Sequence, residues 1–226
     1  MIGCTDLFVT GTDTACGKTE VMLGLMHRLQ RQGECVLGMK PVASGARITA
    51  DGVCNEDAQR IQAQSSLHIP YAEVNPFVYE SPIAPHLAAR ASGRPILLDE
   101  IRQGVCRLQD RADRVIVEGV GGWRVPLGDD FTLADLARKL NLPVVLVVGV
   151  RLGCINHALL TVESMLDDGV QLAGWVANQV DPRMLAPAEN IATLRAWLPA
   201  PCLGEIPYLQ QPTAATVATY LDGSIG

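Results

Sequence analysis

The sequence predicts an α/β fold of three layers, one mainly parallel sheet with helices on both faces. Three observations predict it. Short apolar runs alternate with helical stretches along the chain, the pattern of repeated strand–helix units. The run Pro143 to Gly149 (PVVLVVG) is apolar on both faces, as a central parallel strand must be. A glycine-containing turn, GTDTACGKT from Gly11 to Thr19, joins the first strand to the first helix. In such sheets ligands bind at the carboxyl ends of strands.

The elements follow in order. Leu7 to Thr10 is a short apolar strand ended by Gly11. Lys18 to Gln32 is a helix with Val21, Met22, Leu25, Met26 and Leu29 on one face, and Gly33 stops it. Cys35 to Met39 is the second strand, and Asp57 to Gln64 is helical. Asn75 to Tyr79 reads as a strand, with helices through His86 to Ala91 and Leu97 to Arg111. Arg114 to Glu118 (RVIVE) is a β-branched buried strand ended by Gly119. Thr132 to Leu140 is a helix with Thr132 as N-cap and Asp135 at its third position. After the central strand come helix Asn156 to Asp168, strand Leu172 to Asn178, helix Pro187 to Leu198, strand Cys202 to Ile206 and a closing helix, Thr213 to Leu221. No repeat, low-complexity tract or linker interrupts the series, so residues 1–226 are expected to form a single domain.

Composition narrows the function classes. Eighteen Lys and Arg against 24 Asp and Glu give a net charge of −6. No basic stretch stands out and aromatics are few, so neither nucleic acid nor a membrane surface is an expected partner. The most apolar run, Leu142 to Val150, has about half the length of a membrane-spanning helix. The N-terminus carries no cationic segment followed by a long apolar one, so no signal peptide is expected. Seven cysteines, at 4, 16, 35, 54, 106, 154 and 202, include no CxxC, which predicts reduced thiols and a cytoplasmic protein. Cys16, in the glycine turn, is the candidate for an exposed thiol. The four histidines are dispersed without metal spacing, and no nucleophile elbow occurs. Trp123, Trp175 and Trp197 are expected to be packing residues.

The turn carries the chemistry. Strand, GKT and helix coincide as a phosphate loop requires, although five residues separate Gly11 from Gly17 where the common pattern has about four. The loop amides and the helix N-terminus suit phosphates. Lys18 would reach the β- and γ-phosphates, and the Thr19 hydroxyl would bind Mg²⁺. Glu118 ends the RVIVE strand, where a carboxylate can hold that ion, and Asp57 is a second candidate. The alternatives are a strand-end loop residue for Glu118 and a charge favouring the helix dipole for Asp57. Lys40, in KPVASG, ends a buried strand, where an ammonium is costly unless it meets an anion. It would point into the same crevice as Lys18, with Ser44 and Gly45 nearby. A solvated surface loop is the other reading. Gly153, Cys154, Ile155 and Asn156 stand at a helix N-terminus that can bind a carboxylate or phosphate. The alternative there is a helix capped by Asn156. Asn178 ends its strand where a side-chain amide can read adenine.

With these residues assembled, the chain resembles the dethiobiotin synthetase family from about Leu7 to Tyr208. The resemblance rests on FVTGTDTACGKT, GMKPVASG, NEDA around Asp57, VNPFVYESPIAPH, VEGVGGW, LPVVLVVGVRLGCINHALLT, GWVANQV and PAPCLGEIPYL. It implies a P-loop NTPase-like fold and conversion of 7,8-diaminononanoate, CO₂ and ATP, with Mg²⁺, into dethiobiotin, ADP and phosphate. One amine forms a carbamate, ATP phosphorylates it, and the second amine closes the ureido ring. The resemblance makes Lys18 and Lys40 the catalytic lysines and Thr19, Asp57 and Glu118 the metal ligands. It assigns ATP contacts to Ala15, Cys16, Gly17, Lys18, Thr19, Glu20, Asp57, Glu118, Gly119, Val120, Gly121, Asn178, Gln179, Ile206, Pro207 and Tyr208. It places Thr14, Lys40 and Ser44 against the diamine–carbamate end. It implies a homodimer in which Gly153, Cys154, Ile155 and Asn156 hold the substrate carboxylate for the partner subunit. Ala15 departs from the family, whose members often carry Glu there.

Three other classes compete. A related ATP ligase with an appended glutaminase domain would need more than 226 residues. A nucleotide-switch ATPase would carry a second lysine near the start of the loop, where this chain has Thr12 and Asp13. A diverged paralogue would act on another amine.

Overall fold

The computed structural model describes residues 6–50 and 52–221; Cys4 lies outside them. In chain order the elements are β1 (Leu7–Gly11), α1 (Lys18–Arg31), β2 (Val36–Met39), β3 (Val42–Ser44), β4 (Arg47–Thr49), β5 (Gly52–Cys54), α2 (Glu56–Gln64), α3 (Tyr71–Val74), β6 (Phe77–Tyr79), α4 (Pro85–Ser92) and α5 (Leu98–Gln109). They continue with β7 (Arg114–Glu118), α6 (Leu133–Leu140), β8 (Val144–Val150), α7 (Cys154–Asp167), β9 (Leu172–Gln179), α8 (Pro187–Trp197), β10 (Cys202–Ile206) and α9 (Ala214–Ala218).

Six strands form one sheet in the order β10-β9-β8-β1-β7-β2, and each neighbouring pair is parallel. β8 is buried at all seven positions. Its side chains alternate between the faces, so helices must cover both. α1 packs with α2 and α9, α5 with α6, and α7 with α8. Phe8, Met22, Met26, Leu37 and Trp175 are fully buried between these layers. Thr132 donates its backbone N–H and its hydroxyl to Asp135 Oδ2, at 2.8 and 2.9 Å, and so starts α6 as its sequence predicts.

The expected single sheet needs correction on one side. Phe77–Tyr79 does not join the main sheet; β6 pairs with β3 in a separate two-stranded parallel ribbon. β4 and β5 form an antiparallel pair, so the KPVASG segment runs into short strands and is not a plain loop. β3, β4 and β5 have three residues each, too few to show a hydrophobic period. α7 starts at Cys154 with Gly153 as its left-handed N-cap, so Asn156 lies inside the first turn and caps nothing. Trp123 and Trp175 are buried, but Trp197 is 67% exposed at the end of α8. No helix among the described residues is long and apolar enough to cross a membrane.

α9 docks on α1 through a glycine. A Cβ at Gly24 would lie 2.5 Å from Val217 Cγ1 and 3.2 Å from Leu221 Cδ1. Gly24→Ala gains about 1 kcal/mol of helix propensity and incurs about 1–3 kcal/mol of overpacking. The expected outcome in urea unfolding is a net loss of up to about 2 kcal/mol. A stabilised variant would show that α9 yields without cost.

Candidate active site

The loop between β1 and α1 is built by two residues in the left-handed region. Ala15 has φ 57° and Gly17 φ 89°. A Cβ at Gly17 would lie 2.0 Å from Asn178 Nδ2, so only glycine fits there. Asn178 Nδ2 donates to the Cys16 carbonyl at 2.9 Å, tying the end of β9 to the loop. Thr12 N–H donates to Val147 O at 3.0 Å, tying it to β8. Lys18 Nζ donates to the Asp13 carbonyl at 2.9 Å. Cys16 is fully buried, which corrects the expectation of an exposed thiol. It packs beneath the loop, where a Cβ on Gly149 would come within 3.0 Å of its own Cβ.

Next to the loop sits a buried charge cluster. The β2–β7 register pairs Met39 with Val117, which carries the following residues, Lys40 and Glu118, to the same edge. Lys40 Nζ donates to Glu118 Oε1 at 2.6 Å and to Asp57 Oδ2 at 2.7 Å. Thr19 Oγ1 donates to the same Glu118 oxygen at 3.0 Å. Asn55 caps α2 by accepting from Ala58 N at 3.2 Å, which sets Asp57 in its first turn. Asn75 Nδ2 donates to Lys40 O at 2.6 Å and fixes the lysine backbone. Burial alone would lower the Lys40 pKa, but the Glu118 and Asp57 carboxylates outweigh it and hold the ammonium above its ordinary value. Burial would likewise raise Asp57; Lys40 outweighs it, with help from Thr19 and Arg60, and keeps the carboxyl below its ordinary range.

Two carboxylates and one ammonium leave the cluster one negative charge in excess. Glu118 Oε2 is buried without a hydrogen-bond partner. Thr19, Asp57 and Glu118 offer oxygen donors only, the type a hard divalent cation takes. The donor set and the orphaned oxygen therefore fit Mg²⁺.

The cluster opens into a cavity of about 720 Å³ lined by Thr14, Ala15, Gly17, Lys18, Thr19, Glu20, Lys40, Ser44, Asp57, Glu118, Val120 and Gly121 of the expected residues. A second cavity, of about 200 Å³, shares Ala15, Gly17 and Glu20 with it and adds Asn178, Gln179, Ile206 and Tyr208. Three expected ATP contacts stand apart. Cys16 lies beneath the loop, Pro207 lines neither cavity, and Gly119 faces the core. Gly119 N–H donates to Val9 O at 2.8 Å, and a Cβ there would be 2.8 Å from Leu133 Cδ2. Gly153, Cys154, Ile155 and Asn156 also line neither cavity; Cys154 is buried in the core, and Leu152 beside them is 93% exposed. Sequence reasoning missed Asn75 and Arg60. Arg60 holds Glu20 with two bonds, at 2.6 and 2.7 Å. It also missed the apolar wall of Pro82, Ile83, Val125 and Pro126, for which the Pro-rich SPIAP was the only local signal.

Comparison with known proteins gives the family. Residues 5–216 match a family described as an AAA domain. The ATP-dependent dethiobiotin synthetase BioD of Pseudomonas aeruginosa strain UCBPP-PA14 is 54% identical over 216 residues, covering 95% of each chain. This chain belongs to the dethiobiotin synthetase family. The Cellvibrio japonicus synthetase is 52% identical over 216 residues, 95% of this chain and 94% of that one. The Xanthomonas oryzae pv. oryzae synthetase is 50% identical over 211 residues, 93% and 94% of the two chains. Among solved structures, the MinC:MinD cell division complex of Aquifex aeolicus matches with TM-score 0.57 at 13% identity, over 95% of this chain and 85% of that one. Pyrococcus horikoshii MinD with Mg-ADP matches with TM-score 0.53 at 15% identity, over 90% and 81%. At these identities the two structures show the fold alone.

The charge cluster of this synthetase family member yields a stability test. Lys40→Met leaves Glu118 as a buried charge without its cation, a loss of about 3 kcal/mol. The raised Lys40 value means that its contribution is complete below about pH 10.4 and is lost as pH climbs through the folded value. The lowered Asp57 value means that its contribution is complete above about pH 3.9 and is lost as acid protonates it. Urea titrations of wild type and variant should therefore differ most near neutral pH and converge in acid. A difference that grows as pH falls would contradict the ion-pair account.

Proposed function

We propose that this chain, acting as one domain, is an ATP-dependent dethiobiotin synthetase that uses 7,8-diaminononanoate, CO₂, ATP and Mg²⁺. The observation that carries the reading is the convergence of Lys18, Lys40, Thr19, Asp57 and Glu118 on one cavity. Phosphoryl transfer depends on positioning and on charge stabilisation, and these side chains offer both.

In the proposed reaction one substrate amine attacks CO₂ and loses a proton, giving a carbamate. A carbamate oxygen attacks the γ-phosphorus and ADP leaves. The second amine then attacks the carbonyl carbon of the mixed anhydride. Phosphate leaves, a proton is lost, and the ureido ring closes. Lys18 exchanges the Asp13 carbonyl for phosphate oxygens. Lys40 is held charged by its carboxylate neighbours and faces the carbamate and the transferring phosphoryl. Thr14 and Ser44, on the same cavity wall, orient the diamine–carbamate end. Thr19, Asp57 and Glu118 would hold Mg²⁺, which would neutralise charge on the phosphates.

The smaller cavity suits the base. Asn178 gives one amide hydrogen to Cys16 O, and its Oδ1 can accept from the adenine amino group. Ile206 and Tyr208 offer apolar surface beside it. A homodimer accounts for Gly153 to Asn156: they lie outside this chain's own cavities and are flanked by exposed Leu152 and Leu160. They would take the substrate carboxylate bound at the partner's site. The six described cysteines are free thiols, which suits the cytoplasm.

Purified protein with Mg²⁺, ATP and bicarbonate should release phosphate only when 7,8-diaminononanoate is added, with a product of the mass of dethiobiotin. ATP binding without diamine-dependent release would redirect the reading to another amine substrate. Lys18→Ala should lower kcat by roughly 10²- to 10³-fold in a folded protein, and near-normal turnover would remove that residue from the mechanism. Lys40→Ala, assayed well below its unfolding midpoint, should lower kcat far more than it raises the ATP KM. Equal losses would deny it a role specific to the transition state.

A further inference from the structure

Asp13 engages three partners at once. Its Oδ1 accepts the Thr14 backbone N–H at 2.7 Å, and its own carbonyl accepts Lys18 Nζ at 2.9 Å. Its Oδ2 accepts from Arg151 Nη2 in an ion pair between residues 138 positions apart. Arg151 directly follows β8. The same corner is closed by the Thr12–Val147 bond at 3.0 Å and by the close packing of Cys16 on Gly149.

Two features make this pair bear on the nucleotide. The first is length. Five residues lie between Gly11 and Gly17, about one more than the common phosphate loop, and every added residue brings backbone freedom that must be lost on binding. Asp13 lies within that stretch, and Arg151 fixes it from a rigid strand end. The second is charge. An unpaired carboxylate at Asp13 would stand in the same loop as Lys18, outside both cavities, and its field would oppose an incoming triphosphate. The Arg151 guanidinium cancels that charge. Both side chains are partly exposed, 35% and 45%, so the pair adds little to folding stability; its effect falls on the ligand.

We propose that Arg151 is a positioning residue for the nucleotide: it pins Asp13, so that Lys18 is held ready, and it neutralises the Asp13 carboxylate within the phosphate loop. This rests on the reading of the cavity as an ATP site. Arg151 touches no substrate in this role; it acts through Asp13.

The test uses full-length protein, Mg²⁺ and a non-hydrolysable ATP analogue in calorimetry, together with steady-state kinetics. Arg151→Ala should weaken analogue binding and raise the ATP KM by roughly five- to twentyfold. The kcat should stay within about threefold and the diamine KM within about twofold. Arg151→Lys, which keeps the charge, should recover most of the affinity. Adding Asp13→Asn to Arg151→Ala should also restore binding, because Asn still accepts from Thr14 N–H but carries no charge. A residue with a merely structural role would lower the urea midpoint and would not be rescued by removing a carboxylate. Wild-type affinity in Arg151→Ala, or no rescue in the double variant, overturns the inference and leaves the synthetase reading intact. Failure of the wild-type protein to bind the analogue overturns both.

Discussion

The ammonium of Lys40, set between Glu118 and Asp57 at 2.6 and 2.7 Å, is the contact on which the site depends. It joins the ends of β2 and β7 and the first turn of α2. Lys40 and Glu118 are each costly to bury, by several kcal/mol, and the cost is offset only by close geometry. Strand register supplies that geometry. Met39 opposite Val117 puts Lys40 beside Glu118, and Val9 opposite Glu118 sets the phosphate loop one strand away. A slip of one residue between β2 and β7 would turn Lys40 to the other face of the sheet. The apolar strands thus fix the register, and the register assembles the charges.

This dependence explains what could be read from the sequence. β1, β7, β8 and β9 are covered on both faces, so their composition reveals them before any fold is known. α1 and α6 announce themselves by period and cap. Glu118 ends β7, Lys40 follows β2, and Lys18 and Thr19 open the helix that follows β1, all on the edge where a parallel sheet presents its chemistry. β6 is legible as a strand, but its pairing with β3 gives no such signal. The ribbon's form depends on distant partners, such as Ala46 N–H donating to Tyr79 O at 3.0 Å and Asn75 reaching Lys40 O. Cys16 and Gly119 show a different limit. Both sit inside motifs that line the site, but the spacing of a motif does not tell which of its positions pack against the core. Trp197 shows the converse, a large apolar residue that the fold leaves exposed.

The site also faces an electrostatic constraint that composition alone would misjudge. The chain carries a net charge of −6, and its nucleotide would be an anion as well. Local arrangement decides the outcome over total charge. Glu20, which lines both cavities, is held by Arg60 with two bonds. Asp13 is held by Arg151. Asp57 and Glu118 share Lys40. Lys18 differs from every one of these: its partners are the Asp13 carbonyl and the Cys16 sulfur, neither of them charged. Its positive charge is therefore unbalanced, and it stands at the amino end of α1, where the helix dipole adds to it. Glu20 and Asp13 each have their own cation, and Asp57 and Glu118 share one; in the proposed reading the Lys18 ammonium is left for the phosphates. The carboxylate cluster keeps an excess negative charge on the same cavity, which in the proposed reading would take the cation that accompanies a triphosphate. The separation of these two charges across one cavity makes a bound nucleotide and its metal a better match to the site than either alone.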